Sequence, residues 1–269
     1  MSAGKRIDVL LVESGLAQSR EKARALIMAG AVFADERRVD KPGEVIKDGQ
    51  CIRVKDDALP FVSRGGFKLE KAVERFKLDL DARVAADIGA STGGFTDCML
   101  QHGAAKVYAI DVGYGQLDWK LRNDPRVKVL ERTNARYMAP EWFDPLPSFA
   151  SIDVSFISLG LILPPLFRCL EDDGEVVALV KPQFEAGRDK VGKNGVVRSR
   201  EVHLEVLKST AAMARGVGFT AFGADYSPIT GPKGNIEFLL HLKKGAGTDL
   251  DDAFLEKVVY FAHKTFQSC

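Results

Sequence analysis

The sequence predicts an α/β fold: a doubly wound, mainly parallel sheet of seven strands, preceded by a small α+β domain. Three observations carry the prediction. From Val84 onward, short apolar runs alternate with stretches of helical spacing. The first of these runs ends in the glycine-rich turn Asp87-Ile-Gly-Ala-Ser-Thr-Gly-Gly-Phe95, which opens an amphipathic stretch. The N-terminal residues keep a different rhythm, two short helical patterns followed by small strands.

A chain of 269 residues with 46% hydrophobic residues can bury a large core and a small companion domain. Lys and Arg number 38 against 37 Asp and Glu, so no overall basic field marks a nucleic-acid binder, and any such surface must be a local patch. Cys51, Cys98, Cys169 and Cys269 are scattered without a C-x-x-C pair; a reduced, cytoplasmic chain is expected, and no metal. Lys5 and Arg6 precede an apolar run broken by Asp8 and Glu13, which argues against a signal peptide. Phe156 to Leu170 is interrupted by Pro164-Pro165 and Arg168, short of the roughly 18 apolar residues a membrane span requires.

In order along the chain, Ile7, Leu10 and Leu11 form the first helical stripe, and Gly15 closes it. Ser19 is the expected N-cap of a second helix through Ala23 and Ile27, ended by Gly30. Strands follow at 31–33, 44–46 and 51–54. Asp56 to Pro60 reads as a hinge, because Pro60 restricts its predecessor. Ser63 is the expected cap of a helix carrying Leu69, Ala72, Val73 and Phe76, with Lys68 in its first turn against the helix dipole. The boundaries expected are 1–58, a linker at 59–63, and 64–269.

The seven strands are expected at 84–88, 106–111, 127–130, 149–153, 175–181, 219–226 and 237–242, with helices near 95–102, 116–121, 159–170 and 201–215. Only Ser227 to Ile236 separates the last two strands, too little for a crossover, so one strand must be reversed. Ala253 to Phe266 reads as a closing amphipathic helix.

Ligands of such sheets bind beyond the carboxyl ends of the strands, where Asp87, Asp111, Asp153 and Lys181 fall. Gly89, Gly93 and Gly94 let the backbone come close to a ligand, but Gly-x-x-x-Gly-Gly is not the dinucleotide spacing. Asp87 would repel a pyrophosphate and suit a sulfonium. Asp111, about 20 residues beyond, can accept both hydroxyls of a ribose. Together they favour S-adenosyl-L-methionine over NAD. Two loops flank the site: 184–199 with Arg188, Lys190, Lys193 and Arg198, and 227–236 with Pro228, Pro232 and Lys233; loops of this length beside such residues are expected to be functional, and the resemblances below imply that they order on RNA. Trp119 and Trp142 are expected to pack rather than to stack on bases.

Two resemblances sharpen this reading. Arg6-Ile-Asp-Val-Leu10, Ser19-Arg20, Ala23, Ile27-Met-Ala-Gly30 and Asp48-Gly49 resemble the S4 RNA-binding domain. On charge alone Arg20, Lys22, Arg24, Arg37, Arg38 and Lys41 are a solvated face; the resemblance makes them an RNA surface. Val62-Ser-Arg-Gly-Gly-Phe-Lys-Leu69, Gly89-Ala-Ser-Thr-Gly-Gly-Phe-Thr96, Asp111-Val-Gly-Tyr-Gly-Gln-Leu117, Leu121-Arg-Asn-Asp-Pro-Arg126 and Glu131-Arg-Thr-Asn-Ala-Arg136 resemble the TlyA family. Ser155-Phe-Ile-Ser-Leu159, Val180-Lys-Pro-Gln-Phe-Glu185 and Gly234-Asn-Ile-Glu-Phe238 extend the likeness over nearly the whole chain.

That resemblance implies an S4 domain joined to an FtsJ-like methyltransferase domain with a Rossmann-like sheet, modifying ribose 2'-hydroxyls of ribosomal RNA. The expected target is cytidine in 23S rRNA, with 16S rRNA as a second candidate; the partners are ribosomal RNA or ribosomal subunits. It makes Lys68, Asp153, Lys181 and Glu237 a catalytic tetrad. Lys181 holds the hydroxyl and Lys68 assists, its pKa expected to be lowered by Lys181. Asp87, Gly89, Ala90, Ser91, Thr92, Gly93, Gly94, Phe95, Asp111, Val112 and Asn134 would hold the cofactor. Arg6, Arg20, Lys22, Arg24, Arg64, Arg188, Lys190 and Lys193 would meet RNA. At the fourth strand Asp153-Val-Ser-Phe156 replaces the Asp/Asn-Pro-Pro-aromatic turn of amine methylases, which favours ribose over base. Two rivals remain: a membrane-active haemolysin, since the family also carries that name, and an RNA-binding module whose transfer domain is vestigial.

Overall fold

The computed structural model describes residues 4–17, 19–28, 30–55, 60–231 and 233–266. Residues 56–59, the expected hinge apart from Pro60 and the first residue of the expected linker, lie outside these residues, as do Pro232 and Cys269.

The N-terminal region runs β1 (Lys5–Arg6), α1 (Ile7–Glu13), α2 (Arg20–Met28), β2 (Val32–Ala34), β3 (Arg37–Arg38), β4 (Val45–Ile46) and β5 (Ile52–Val54). Ile7, Leu11, Ala23, Ile27, Val32 and Val54 are buried together, so the helical stripes close on the small strands. Ser19 Oγ accepts the N–H of Lys22 at 3.2 Å, the expected cap. Gly15, with φ +67, brings the turn after α1 against Ile229 of the second region.

The second region comprises α3 (Gly66–Phe76), β6 (Val84–Ile88), α4 (Gly94–Gln101), β7 (Lys106–Ile110), α5 (Trp119–Arg122), β8 (Val127–Leu130) and β9 (Phe149–Ile152). It continues through α6 (Leu163–Cys169), β10 (Glu175–Val180), α7 (Pro182–Glu185), α8 (Arg200–Val217), β11 (Phe219–Tyr226), β12 (Phe238–Lys244) and α9 (Asp252–Phe266). One sheet has the order β11-β12-β10-β9-β6-β7-β8. The pairs among β10, β9, β6, β7 and β8 are parallel, whereas β12 is antiparallel to both β10 and β11. The reversal matters for the site: β12 starts at the edge where the parallel strands end, so Glu237 joins Asp153 and Lys181.

Alternate residues of the strands face two cores. Ile88, Ile152, Val180 and Phe238 pack with residues of α6, α8 and α9, and Val177 and Leu239 pack with Leu69 and Met99 of α3 and α4.

Three helix expectations need correction. Ser63 does not cap α3; Gly65 precedes the helix without a side-chain cap, and Ser63 gives only its carbonyl, to Gly66 N–H at 3.1 Å. The helix expected at 159–170 is split into a 3-10 turn, Leu159–Leu161, and α6. Prolines lacking an N–H fit only a helix's first turn, so Pro164-Pro165 forces a fresh start. The helix near 116–121 shrinks to α5, because Asp118 caps it by accepting Lys120 N–H at 2.8 Å.

Candidate active site

The glycine turn owes its sequence to packing as much as to ligand access. At Gly89 φ is +87, and a Cβ would stand 2.6 Å from the Asp153 carbonyl oxygen, so only glycine lets β6 end so close to β9. A Cβ on Gly94 would lie 2.3 Å from Ser63 Oγ, which seats the segment before α3 against the start of α4.

Asp87 is fully buried. Its carboxylate accepts Thr96 Oγ1–H at 2.7 Å and Ser151 Oγ–H at 3.2 Å. Burial outweighs these hydrogen bonds and pushes its pKa up to about 7. Asp87 therefore braces the turn from behind and lines neither of the two cavities at this edge of the sheet, contrary to the expectation that it faces a sulfonium.

This placement sets a pH signature. Unfolded, the carboxyl loses its proton near 3.8, whereas folded it holds it to about 7. The folded state binds the extra proton, so stability falls as pH rises through that window and levels off above it. Asp87→Asn removes this slope. In urea unfolding, the variant should gain stability relative to wild type on going from pH 5 to pH 8; equal slopes would contradict the assignment.

Two cavities open at the carboxyl edge of the sheet. One, of about 660 Å³, is lined by Asp111, Val112, Gln116, Asn134 and Arg136 among others. The other, of about 560 Å³, is lined by Lys68, Lys181, Glu237, Gln183 and the turn residues Ala90, Thr92, Gly94 and Phe95. Gly89, Ser91, Asp153, Ser155 and Phe156 border both, so the cavities are two chambers with one common wall. Of the expected cofactor residues only Asp87 and Gly93 line neither; Gly93, with φ +97, turns the chain beneath Leu117 and Leu121.

The first chamber suits a nucleoside. Asp111 Oδ2 accepts Ser91 N–H at 2.8 Å and Oδ1 accepts Gly113 N–H at 2.7 Å. Each carboxylate oxygen keeps a further lone pair for a ribose hydroxyl. Asn134 Oδ1 accepts Arg136 N–H at 3.1 Å and so caps the 3-10 turn Ala135–Tyr137 on the chamber wall.

In the second chamber the four residues expected as a tetrad meet. Lys68 Nζ lies 2.8 Å from Glu237 Oε2 and 3.4 Å from Asp153 Oδ2, and Lys181 Nζ lies 2.5 Å from Asp153 Oδ1. Lys181 also donates to Ser155 Oγ at 3.0 Å. Lys68, Lys181 and Glu237 are buried. Burial pulls the Lys68 ammonium down, but Asp153 and Glu237 outweigh it and leave its pKa above the ordinary lysine value. The expected depression by Lys181 is thus corrected: two carboxylates stand nearer to Lys68 than the second cation's influence can offset. Burial likewise raises Asp153, and Lys68 and Lys181 outweigh it to hold the carboxyl below its usual range.

Several residues take places at the site that their spacing in the sequence does not announce. Phe156 is 90% exposed at φ +63, a strained backbone for an aromatic, and rests against Phe184 at 5.1 Å between ring centres. Gln183 Oε1 is the buried side-chain acceptor without a partner among the described residues. Asn235 donates to the Gly195 carbonyl at 2.9 Å and accepts Val197 N–H at 3.0 Å, tying the loop at 184–199 to the loop at 227–236. Trp119 is 76% exposed rather than packed, because α5 is a single turn that buries only Leu121. Trp142 does pack, against the larger core.

The expected RNA residues fall in two groups. Arg6, Arg20 and Arg24 converge on buried Asp8, with nearest distances of 2.9, 2.9 and 3.7 Å. Arg6's hydrogen bond leads in holding the Asp8 carboxyl far below its usual range, against burial. The three guanidiniums stay about half exposed, forming a fixed cationic patch with Lys22 exposed on the same helix as Arg20 and Arg24. Arg64, Arg188, Lys190 and Lys193 are exposed too, and Val191 and Gly195 of their loop line the second chamber. Lys190 is engaged by Glu205. No helix among the described residues is long and apolar enough to cross a membrane.

Comparison with known proteins agrees with this architecture. A family model described as FtsJ-like methyltransferase matches residues 61–244, and one described as S4 domain matches residues 5–51. "Putative rRNA methyltransferase YqxC" of Bacillus subtilis is 53% identical, over 99% of this chain and 96% of its own length. The "16S/23S rRNA (cytidine-2'-O)-methyltransferase TlyA" of Mycobacterium tuberculosis is 44% identical, over 97% of this chain and 98% of its own. A solved structure, "Putative hemolysin from Streptococcus thermophilus", is 52% identical and superposes with a TM-score of 0.79, covering 100% of this chain and 98% of that one. The chain belongs to the TlyA/haemolysin A family, with an S4 domain ahead of an FtsJ-like methyltransferase domain.

Proposed function

We propose that this protein is an S-adenosylmethionine-dependent methyltransferase that modifies the ribose 2'-hydroxyl of cytidine in 23S rRNA, and in 16S rRNA as a second substrate. The observation that carries the reading is the junction of the two chambers, where Asp153 faces the nucleoside chamber on one side and joins Lys68 and Lys181 on the other. Residues 1–58 would hold the RNA, 59–63 link, and 64–269 carry out transfer.

S-adenosylmethionine supplies a methyl group already activated by positive sulfur. Asp111 and Asn134 would hold its nucleoside, and Gly89, Ala90, Ser91, Thr92, Gly94 and Phe95 the methionine end. The chain must then place an oxygen in line with that methyl and manage one proton. Lys181 Nζ is committed to Asp153 and Ser155, which leaves its third N–H direction for the 2'-hydroxyl oxygen. Lys68, held as an ammonium by two carboxylates, cannot take the proton; it fixes Asp153 and Glu237 and balances their charge, and the hydroxyl proton, made acidic as its oxygen gains the methyl carbon, would pass to water in the open chamber. Phe156 offers the base an aromatic face at the lip. Gln183 Oε1 offers the bound nucleotide an acceptor. The Asp8-centred arginines and the loop at 184–199 meet phosphates.

The test is direct. The protein is incubated with S-adenosylmethionine and unmodified ribosomal subunits, and alkali-resistant linkages are mapped, because a 2'-O-methyl group blocks cleavage at its own linkage. New resistant positions at cytidine are expected. Methyl groups found on a base, or on neither subunit, refute the proposal.

A further inference from the structure

We propose that Glu70, Cys98 and His102 form a binding site for a divalent transition-metal ion, zinc being the ion their chemistry suits, on the flank of the methyltransferase domain. The inference is independent of the transfer reaction. The cysteines show no C-x-x-C pair, and on that ground no metal is expected from the sequence; but His102 follows Cys98 by four residues, one helical turn. Glu70 comes from α3, which packs along α4.

The donor atoms of the three side chains lie within 4.8 Å of one another, and His102 Nε2 is 3.7 Å from Glu70 Oε2. A tetrahedral zinc ion with bonds of about 2.0–2.3 Å holds its ligand atoms about 3.5 Å apart, so a contraction of about 1 Å closes the site. Cys98 is fully buried, while Glu70 and His102 are only partly so. The site thus has a soft sulfur floor and a mouth open to solvent, where the two mobile ligands can adjust.

Charge favours a cation there. Glu70 brings one negative charge to the three donors, and Glu74 lies one turn further along α3. Carboxylates so placed attract a metal ion. Binding converts the thiol to a metal thiolate and releases one proton to solvent, with no change of oxidation state. Water, or Glu74 one turn further along α3, completes four ligands. An ion pair between His102 and Glu70 needs no sulfur beside it; three donors of different softness meeting between two helices is what a metal needs.

The consequence is mechanical. α3 carries Lys68 two residues before Glu70, and α4 begins at the glycine turn. A metal bridging the helices fixes the tetrad's first lysine against that turn.

The experiment uses the full-length protein carrying Cys51→Ser and Cys269→Ser, stripped with chelator and titrated with cobalt(II). One equivalent should bind, with a thiolate-to-cobalt charge-transfer band in the near ultraviolet that zinc(II) displaces. His102→Ala should weaken cobalt binding by about tenfold or more, while S-adenosylmethionine binding reports that the fold is kept. Cys98→Ala should remove the band; should that variant not fold, Glu70→Gln and His102→Ala decide. Absence of the band at one equivalent, or a band of equal affinity in His102→Ala, overturns the proposal.

Discussion

Lys181→Ala should lower methyl transfer to rRNA by about three orders of magnitude, in the range that loss of a positioned hydrogen-bond donor at the reacting oxygen produces. S-adenosylmethionine affinity should stay within about twofold of wild type, because Asp111, Asn134 and the glycine turn hold the cofactor, whereas Lys181 is tied to Asp153 and Ser155 and turns its remaining N–H to the acceptor hydroxyl. Transfer of radiolabelled methyl under single turnover measures the first quantity, and calorimetry the second. A variant with near-normal transfer removes Lys181 from the mechanism. One that no longer binds cofactor shows that the two chambers act as one.

Asp153→Asn is expected to do more damage than its size suggests. The carboxylate lies 2.5 Å from Lys181 and 3.4 Å from Lys68, and Lys181 has no second carboxylate among the described residues. Removing one partner of a buried ion pair costs about 3–5 kcal/mol, since the remaining charge stays desolvated. Both urea stability and transfer should fall. Lys68, still held by Glu237, should keep its place. An amide variant that unfolds at the wild-type urea concentration would mean that Asp153 is not the counter-charge of the two lysines.

How much of the molecule is legible in its sequence follows from the physics of each element. The sheet is, because strands buried on both faces read as continuous apolar runs and because the short connection from Ser227 to Ile236 cannot cross over. Asp111, Asp153 and Lys181 are, since a charge at the end of a buried strand is costly unless it meets solvent, a counter-charge or a ligand. Glu237 needed the family resemblance to single it out, but the reversed strand explains its place. Asp87 is misread because its sequence position at a strand end does not say which way its carboxylate turns; Thr96 and Ser151 claim it from the core side. Phe156 and Gln183 are invisible as site residues. Exposure in a left-handed backbone, and an acceptor left unpaired, are properties of the folded chain and have no spacing signal. Asp8 sits within the S4-like stretch from Arg6 to Leu10, yet its role as the anion that gathers three arginines depends on its complete burial.

Gly89 stands in the wall common to the two chambers. It comes so near the Asp153 carbonyl that no side chain fits between. Donor and acceptor must approach to about 3–3.5 Å for reaction, and displacement by an ångström costs about two orders of magnitude in rate. The missing methyl group at residue 89 therefore acts as a spacer set to zero: the end of β6 and the backbone of Asp153 stand at the separation that two bare chains allow. Any larger residue would push Asp153, and with it the wall common to both chambers, out of place without touching a catalytic side chain.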